Sequence, residues 1–455
     1  MHRHDASTEV LTQAVVRYAV DRIRLEPAPL DGPRTPAELR AMAGNTVTPL
    51  GLGGLEALRV FADVLAPACI SIDHPRFLSF VPAAPTEASI LFDLVVGASS
   101  VYAGSWLEGG GAVFAENEAL RWIADLAGMP ESAGGVFVSG GTAGNLSALI
   151  AARWKWRHDS DEANDRTRGL VMASSGAHSS IAQAGVAMDV DVVAVPADDA
   201  GRMHGAALRQ AVDELDDADR SRLFAVVATS GTTNAGIIDD LVGVADVCDR
   251  ESLWFHVDGA YGGAGLAAPS VRSHFDGIER ADSFIVDPHK WLFAPYDCCA
   301  LLYRNPADGR AAHSQHATYL DSIDRDESNP ADLAMHLSRR VRGLPFWFSL
   351  ATHGTQAYTA AVERSLTVAQ QIATGIEQRD HLRLVLAPEL SVLLFERVGW
   401  NAEQYAEWSA RMAVDGVILC VPTTWEHRTV LRLIVINPET RAGDVLAALD
   451  SLGEG

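Results

Sequence analysis

Between residues 70 and 345, short unbroken apolar runs alternate with stretches whose apolar positions repeat every three or four residues. The runs at 135–138, 170–173, 192–195, 223–228, 254–257, 284–286 and 300–303 predict strands covered on both faces. Stretches such as 145–156 and 241–250 predict the helices between them. This alternation implies an α/β domain over 70–345 with a mainly parallel, seven-stranded sheet. Ligands in such sheets bind beyond the carboxyl ends of the strands. Upstream, Val10, Leu11, Ala14, Val15, Tyr18 and Ala19 fall on one face of a helix over 7–24. A loop rich in Pro and Gly follows over 27–54, and residues 1–69 read as an N-terminal helical segment. A helix over 351–379 and strands at 391–395, 416–421 and 430–436 predict a small C-terminal α+β domain over 346–455. Residues 312–336 break the alternation. They are polar, acidic and weakly periodic, and a connection of that length is expected to be a lid or a link.

Composition narrows the classes of partner. Apolar residues make up 48% of the 455, enough for a sizeable core. The formal net charge of −23, without a basic run, argues against nucleic acid and against membranes. No apolar stretch reaches the length of a membrane span. The start of the chain carries no apolar signal core, and His2 and His4 read as a polar tail rather than metal ligands. Five scattered cysteines show neither metal spacing nor a disulfide framework, so a cytoplasmic location is expected and no metal site.

Lysine is almost absent: only Lys155 and Lys290 occur among 36 cationic residues. Arginine replaces lysine on a surface but cannot form an imine. Lys290 sits in Asp287-Pro288-His289-Lys290-Trp291, directly after an apolar strand. Burial lowers a lysine's pKa, and the neutral amine attacks carbonyls. Three further clusters stand near predicted strand ends. Ser139-Gly140-Gly141-Thr142-Ala143-Gly144-Asn145 precedes a helix and offers N–H groups to an anion, although such a turn is structural at least as often. It lacks the Lys of a Walker loop. Asp258, in His256-Val257-Asp258-Gly259-Ala260-Tyr261, closes a strand where a carboxylate needs a positive partner or caps the next segment. His178, in Ala177-His178-Ser179-Ser180, is placed to stack on a ring, to move a proton or merely to bond its loop. Together the four clusters form the set that pyridoxal phosphate requires.

With Thr229-Ser230-Gly231-Thr232-Thr233, His74-Pro75-Arg76-Phe77 and Leu431-Arg432-Leu433-Ile434-Val435-Ile436-Asn437-Pro438, these motifs span roughly 70 to 450. The chain resembles the group II pyridoxal-phosphate-dependent amino acid decarboxylases, above all the aromatic-L-amino-acid type. The resemblance implies an aspartate-aminotransferase-type fold (fold type I) and an intertwined homodimer. It also implies that Lys290 bonds the cofactor, Asp258 pairs with its ring nitrogen and His178 stacks on the ring. Gly141 and Thr142 would reach the phosphate, while Thr233, Ala260, Asp287 and His289 would line the cofactor. Relatives of the aromatic type carry a lid tyrosine that protonates the α-carbon; 321–336 has none, Tyr319 lies at its entrance, and His178 is the expected substitute. Phe80, Pro82, Ala83 and Trp106 are the expected substrate side, without an evident arginine for a side-chain carboxylate. The expected substrate is a small molecule, an aromatic or bulky neutral L-amino acid, converted to amine and carbon dioxide. The alternatives on the same fold are an aldehyde synthase, a carbon–carbon lyase and an aminotransferase. A scaffold without activity is disfavoured by the intact lysine, aspartate and histidine set.

Overall fold

The computed structural model describes residues 5–24, 30, 34–159, 167–315 and 329–453. Seven strands form one sheet: β1 (Gly134–Val138), β2 (Leu170–Ser174), β3 (Asp191–Val195), β4 (Leu223–Thr229), β5 (Trp254–Asp258), β6 (Ser283–Val286) and β7 (Cys299–Tyr303). Their spatial order is β1-β7-β6-β5-β4-β2-β3. β7 runs antiparallel to both neighbours, and the other pairings are parallel. Six strands therefore point their carboxyl ends the same way.

The unbroken apolar character of these strands follows from burial on both sides. In β4, Leu223, Val226 and Ala228 face one hydrophobic cluster, while Phe224, Ala225 and Val227 face the other. β5 and β6 divide in the same way, with Phe255, Val257, Phe284 and Val286 on the first side and Trp254 and Ile285 on the second. The helix Gly141–Asp159 covers the second side. Gly135 is required in β1, because a Cβ there would lie 1.9 Å from the carbonyl oxygen of Leu301 in β7.

The C-terminal sheet holds β8 (Leu382–Leu384), β9 (Val392–Arg397), β10 (Pro422–Trp425) and β11 (Arg428–Ile434), in the order β10-β11-β9-β8 and antiparallel throughout. Its strands depart from the sequence reading. Residues 416–421 form a turn and an irregular connection, bridged only at Leu419 to Phe77, and β8 lies outside the strands expected. The helix expected over 351–379 is two helices, Leu344–His353 and Thr355–Glu377, broken where Gly354 takes a φ of 77°. The loop expected over 27–54 contains a helix, Pro36–Ala43, opened by a capping box between Thr35 and Glu38 with proline in its first turn. The helix Ala6–Arg24 forms as expected, yet buries none of its residues in this chain. The expected tail histidines, Tyr319 and the central part of the lid (316–328) lie outside the described residues.

Candidate active site

The loops after β1, β2, β4, β5 and β6 meet at one cavity of about 360 Å³. Each supplies part of the lining. Ser139, Gly140, Gly141 and Thr142 follow β1, and His178 follows β2; Gly231 and Thr233 follow β4, Asp258 and Ala260 end β5, and Asp287, His289 and Lys290 follow β6. All nine residues expected to hold or act on the cofactor are thus brought together. Trp291 of the same motif is not among them. It is fully buried and stacks on Tyr261, with ring centroids 5.4 Å apart.

Lys290 Nζ lies 2.9 Å from Asp287 Oδ2, and His289 Nε2 lies 3.7 Å from the same oxygen. Burial pushes Lys290 down, but Asp287, with a smaller contribution from Asp258, outweighs it and holds the ammonium above its ordinary value. The expectation of a lysine depressed by burial is therefore corrected: the adjacent carboxylate wins. Burial pushes Asp287 up; Lys290 and His289 overcome it and hold the carboxyl below its usual range. His289 is lowered by burial, and its Nδ1 lies 2.7 Å from the carbonyl oxygen of Cys298.

At the floor, Asp258 Oδ2 accepts from Asn145 Nδ2 at 2.8 Å and Oδ1 from the N–H of Ala260 at 3.0 Å. His178 caps the helix Ser179–Met188. Its Nδ1 accepts from the N–H of Ser180 at 3.2 Å and lies 2.9 Å from Ser180 Oγ. An imidazole nitrogen that accepts carries no proton, so the proton of neutral His178 sits on Nε2.

Pyridoxal phosphate fits these residues. The first N–H groups of the helix Gly141–Asp159 have no preceding turn of carbonyls to bond and suit a phosphate. A Cβ on Gly141 would stand 3.1 Å from that of Ala260 and 3.4 Å from Asp287 Oδ2, so any larger residue narrows the space. Gly231 holds a φ of 103° with Gly262 Cα only 2.7 Å from where its Cβ would be. Asp287 Oδ1 and Thr229 Oγ1 are buried without hydrogen-bond partners among the described residues.

The expected substrate side stands apart. Phe80, Pro82, Ala83 and Trp106 do not line the cavity. Phe80 is nevertheless tied to it. Buried Arg432 donates to the carbonyl oxygens of Phe80 (2.7 Å) and Thr233 (3.1 Å). Its other hydrogen bonds go to backbone carbonyls as well, those of Thr233 and Asn234, and burial lowers its guanidinium to about 10. Its role as a brace between the two loops was missed, because only the fold brings residues 80, 233 and 432 together. Trp106 starts the helix Trp106–Leu126, with its N–H bonded to Asn329. Tyr296 was also missed. It lines the cavity with its ring 4.6 Å from that of His289.

The sequence model of the pyridoxal-dependent decarboxylase conserved domain matches residues 56–398. The aromatic-L-amino-acid decarboxylase of Bacillus atrophaeus is 29% identical over 388 residues, covering 82% of this chain and 80% of that protein. The L-2,4-diaminobutyrate decarboxylase of Rhizobium meliloti (strain 1021) is 31% identical over 426 residues, covering 90% and 84%. The crystal structure of mouse CSAD superposes with a TM-score of 0.90 at 26% identity, covering 99% of each chain.

Proposed function

We propose, for a chain that belongs to the pyridoxal-dependent decarboxylase family, that the amino acid it decarboxylates is aromatic or otherwise bulky and neutral. The chain is a pyridoxal-phosphate-dependent carboxy-lyase acting on an amino acid. One observation carries the substrate proposal: among the described residues lining the cavity, Lys290 is the sole lysine or arginine. Nearby Arg432 spends its donors on the carbonyls of Phe80, Thr233 and Asn234 and has none directed to a side-chain carboxylate.

When bound, pyridoxal phosphate supplies a ring that accepts the electron pair left at the α-carbon as carbon dioxide departs. Lys290 would hold its aldehyde, Gly141 and Thr142 its phosphate, and Asp258 the protonated ring nitrogen, with His178 on the ring face. Asp287 Oδ2, 2.9 Å from Lys290 Nζ, holds that nitrogen as a cation and fixes its position over the cavity. His178 presents Nε2–H to the ring face, and its imidazolium form returns that proton to the α-carbon and is left neutral, with Nδ1–H on Ser180 Oγ. Phe80, Pro82, Ala83 and Trp106 are proposed to contact the substrate side chain, with Arg432 fixing the Phe80 loop against Thr233.

The working form is proposed to be a homodimer. Val10, Val15 and Val16 of the N-terminal helix are exposed, as are Leu91, Leu94 and Val95 of the helix Glu87–Ser99, and a second copy would cover such apolar surface. A cytoplasmic location is proposed from five cysteines, all free, four of them buried. Among the described residues no helix is long and apolar enough to cross a membrane. The net charge of −23 disfavours nucleic acid as a partner.

The test is incubation of the cofactor-loaded protein with a panel of amino acids, including aromatic, acidic and L-2,4-diaminobutyrate members. The expected products are carbon dioxide and the matching amine from the aromatic members. Turnover confined to an acidic or dibasic member overturns the substrate class. Aldehyde and ammonia, with oxygen consumed, identify an aldehyde synthase, the reading favoured by the absence of tyrosine from 321–336.

A further inference from the structure

A buried hydrogen-bond chain runs behind the cavity with a single direction. Trp254 Nε1, a donor only, bonds Ser283 Oγ at 2.8 Å. Ser283 Oγ lies 2.8 Å from His256 Nδ1, and His256 Nε2 lies 2.9 Å from Asn145 Oδ1. Asn145 Nδ2 donates to Asp258 Oδ2 at 2.8 Å and to Ser180 Oγ at 3.0 Å. Ser180 Oγ in turn meets His178 Nδ1 at 2.9 Å.

Each link fixes the next. A carboxylate accepts, so the Asn145 amide must turn its NH2 to Asp258 and its oxygen to His256. That oxygen needs a donor, so His256 carries its proton on Nε2 and leaves Nδ1 to accept from Ser283. Burial supports the neutral form, pushing His256 down to about 4. The geometry has a simple origin. His256 and Asp258 point to the same side of β5, two residues apart, and Ser283 is the register partner of His256 in β6. Asn145 occupies the first turns of the helix laid across them and is 1% exposed.

We propose that Asn145 is a positioning residue for the cofactor ring. Its amide sets Asp258 at the ring nitrogen and, through Ser180, His178 on the ring face, while His256 locks its orientation. The inference rests on the proposed roles of Asp258 and His178. It makes the ring's edge and face partners one unit: loss of the amide loosens both at once.

The test measures pyridoxal phosphate affinity and visible circular dichroism of the bound cofactor in wild type, Asn145→Leu, His256→Leu and His256→Gln. A glutamine can present an N–H where the imidazole Nε2–H stood. Asn145→Leu removes a hydrogen bond to a charged group and His256→Leu leaves the buried Asn145 oxygen without its donor, so about a tenfold loss of affinity or more is expected in both. Their circular dichroism band should fall by more than half as the ring loses its fixed setting. His256→Gln should recover both readings to within about threefold, as expected if a donor rather than shape is what matters. Wild-type-like binding and dichroism in the leucine variants overturn the proposal. So does a glutamine variant that recovers nothing, which leaves a packing role only. If Asn145→Leu does not fold, the two His256 variants decide. Failure of the underlying reading is separate: wild type itself would then retain no cofactor at Lys290.

Discussion

At the floor of the cavity, Asp258 is 4% exposed and both its oxygens receive N–H donors; at the mouth, Phe80 is 63% exposed and Thr233 faces solvent. The floor stands on strands β4, β5 and β6, whose residues are held by the sheet ladder. The mouth stands on loops joined by the single guanidinium of Arg432. A hydrogen bond buried in the floor has no competing water, so removing one partner leaves the other unpaired at full cost. Contacts at the mouth are wetter and individually weaker. The difference assigns cofactor chemistry to the floor and choice of substrate to the mouth.

Substitutions separate the two regions by size of effect. Lys290→Ala should lower kcat by roughly 10⁴-fold or more, the scale expected when a covalent catalytic group is lost. It should also abolish covalent retention of the cofactor, read from visible absorbance after gel filtration. Asp258→Asn keeps the shape of the floor and removes its charge. A decrease in kcat of about 10²–10³-fold is expected, with KM changed far less. His178→Gln should cost about 10²-fold in kcat, whereas Tyr296→Phe should stay within about threefold. The reverse ranking would move the α-carbon proton donor to the phenol. At the mouth, Arg432→Met should raise KM by about tenfold with kcat nearly kept, since the loops lose their brace but the chemistry does not.

A separate effect is in stability. His256 titrates near 4 when folded, below its ordinary value near 6.5. Between those values the unfolded chain binds the extra proton, so this residue's contribution falls as pH drops from about 6.5 to about 4. Wild type should lose on the order of 2–3 kcal/mol relative to His256→Gln over that window. Buried Asp239 and Asp282, both raised to about 6, shift the opposite way and are common to both proteins, so the difference isolates His256.

Much of the floor was legible because its residues sit beside strands of unmistakable pattern. Asp287 to Lys290, Asp258, His178 and the Gly141 turn each follow an apolar run by a few residues, and the α/β topology sends them to one edge. Asn145 was visible at the end of the glycine turn, but its role needed the helix crossing β5 and β6, a three-dimensional fact. The small domain was less legible. Residues 416–421 are as apolar as a strand, yet only Leu419 finds a bridge, because β10 takes the edge of the sheet beside β11. The helix at Pro36–Ala43 was marked by the Thr35–Glu38 capping box and was overlooked among prolines and glycines. The mouth was the least legible. Phe80, Thr233 and Arg432 are far apart in sequence, and no local pattern announces a guanidinium shared by two loops.

The most direct test uses the chain's scarcity of lysine. Borohydride reduction of the protein loaded with pyridoxal phosphate, followed by proteolysis and mass spectrometry, has two possible side-chain targets, Lys155 and Lys290. The cofactor's mass should appear on the peptide carrying Asp287-Pro288-His289-Lys290-Trp291 and not on the one carrying Lys155. Label on Lys155 alone, or no label on either peptide, would contradict the assignment of this cavity as the catalytic site.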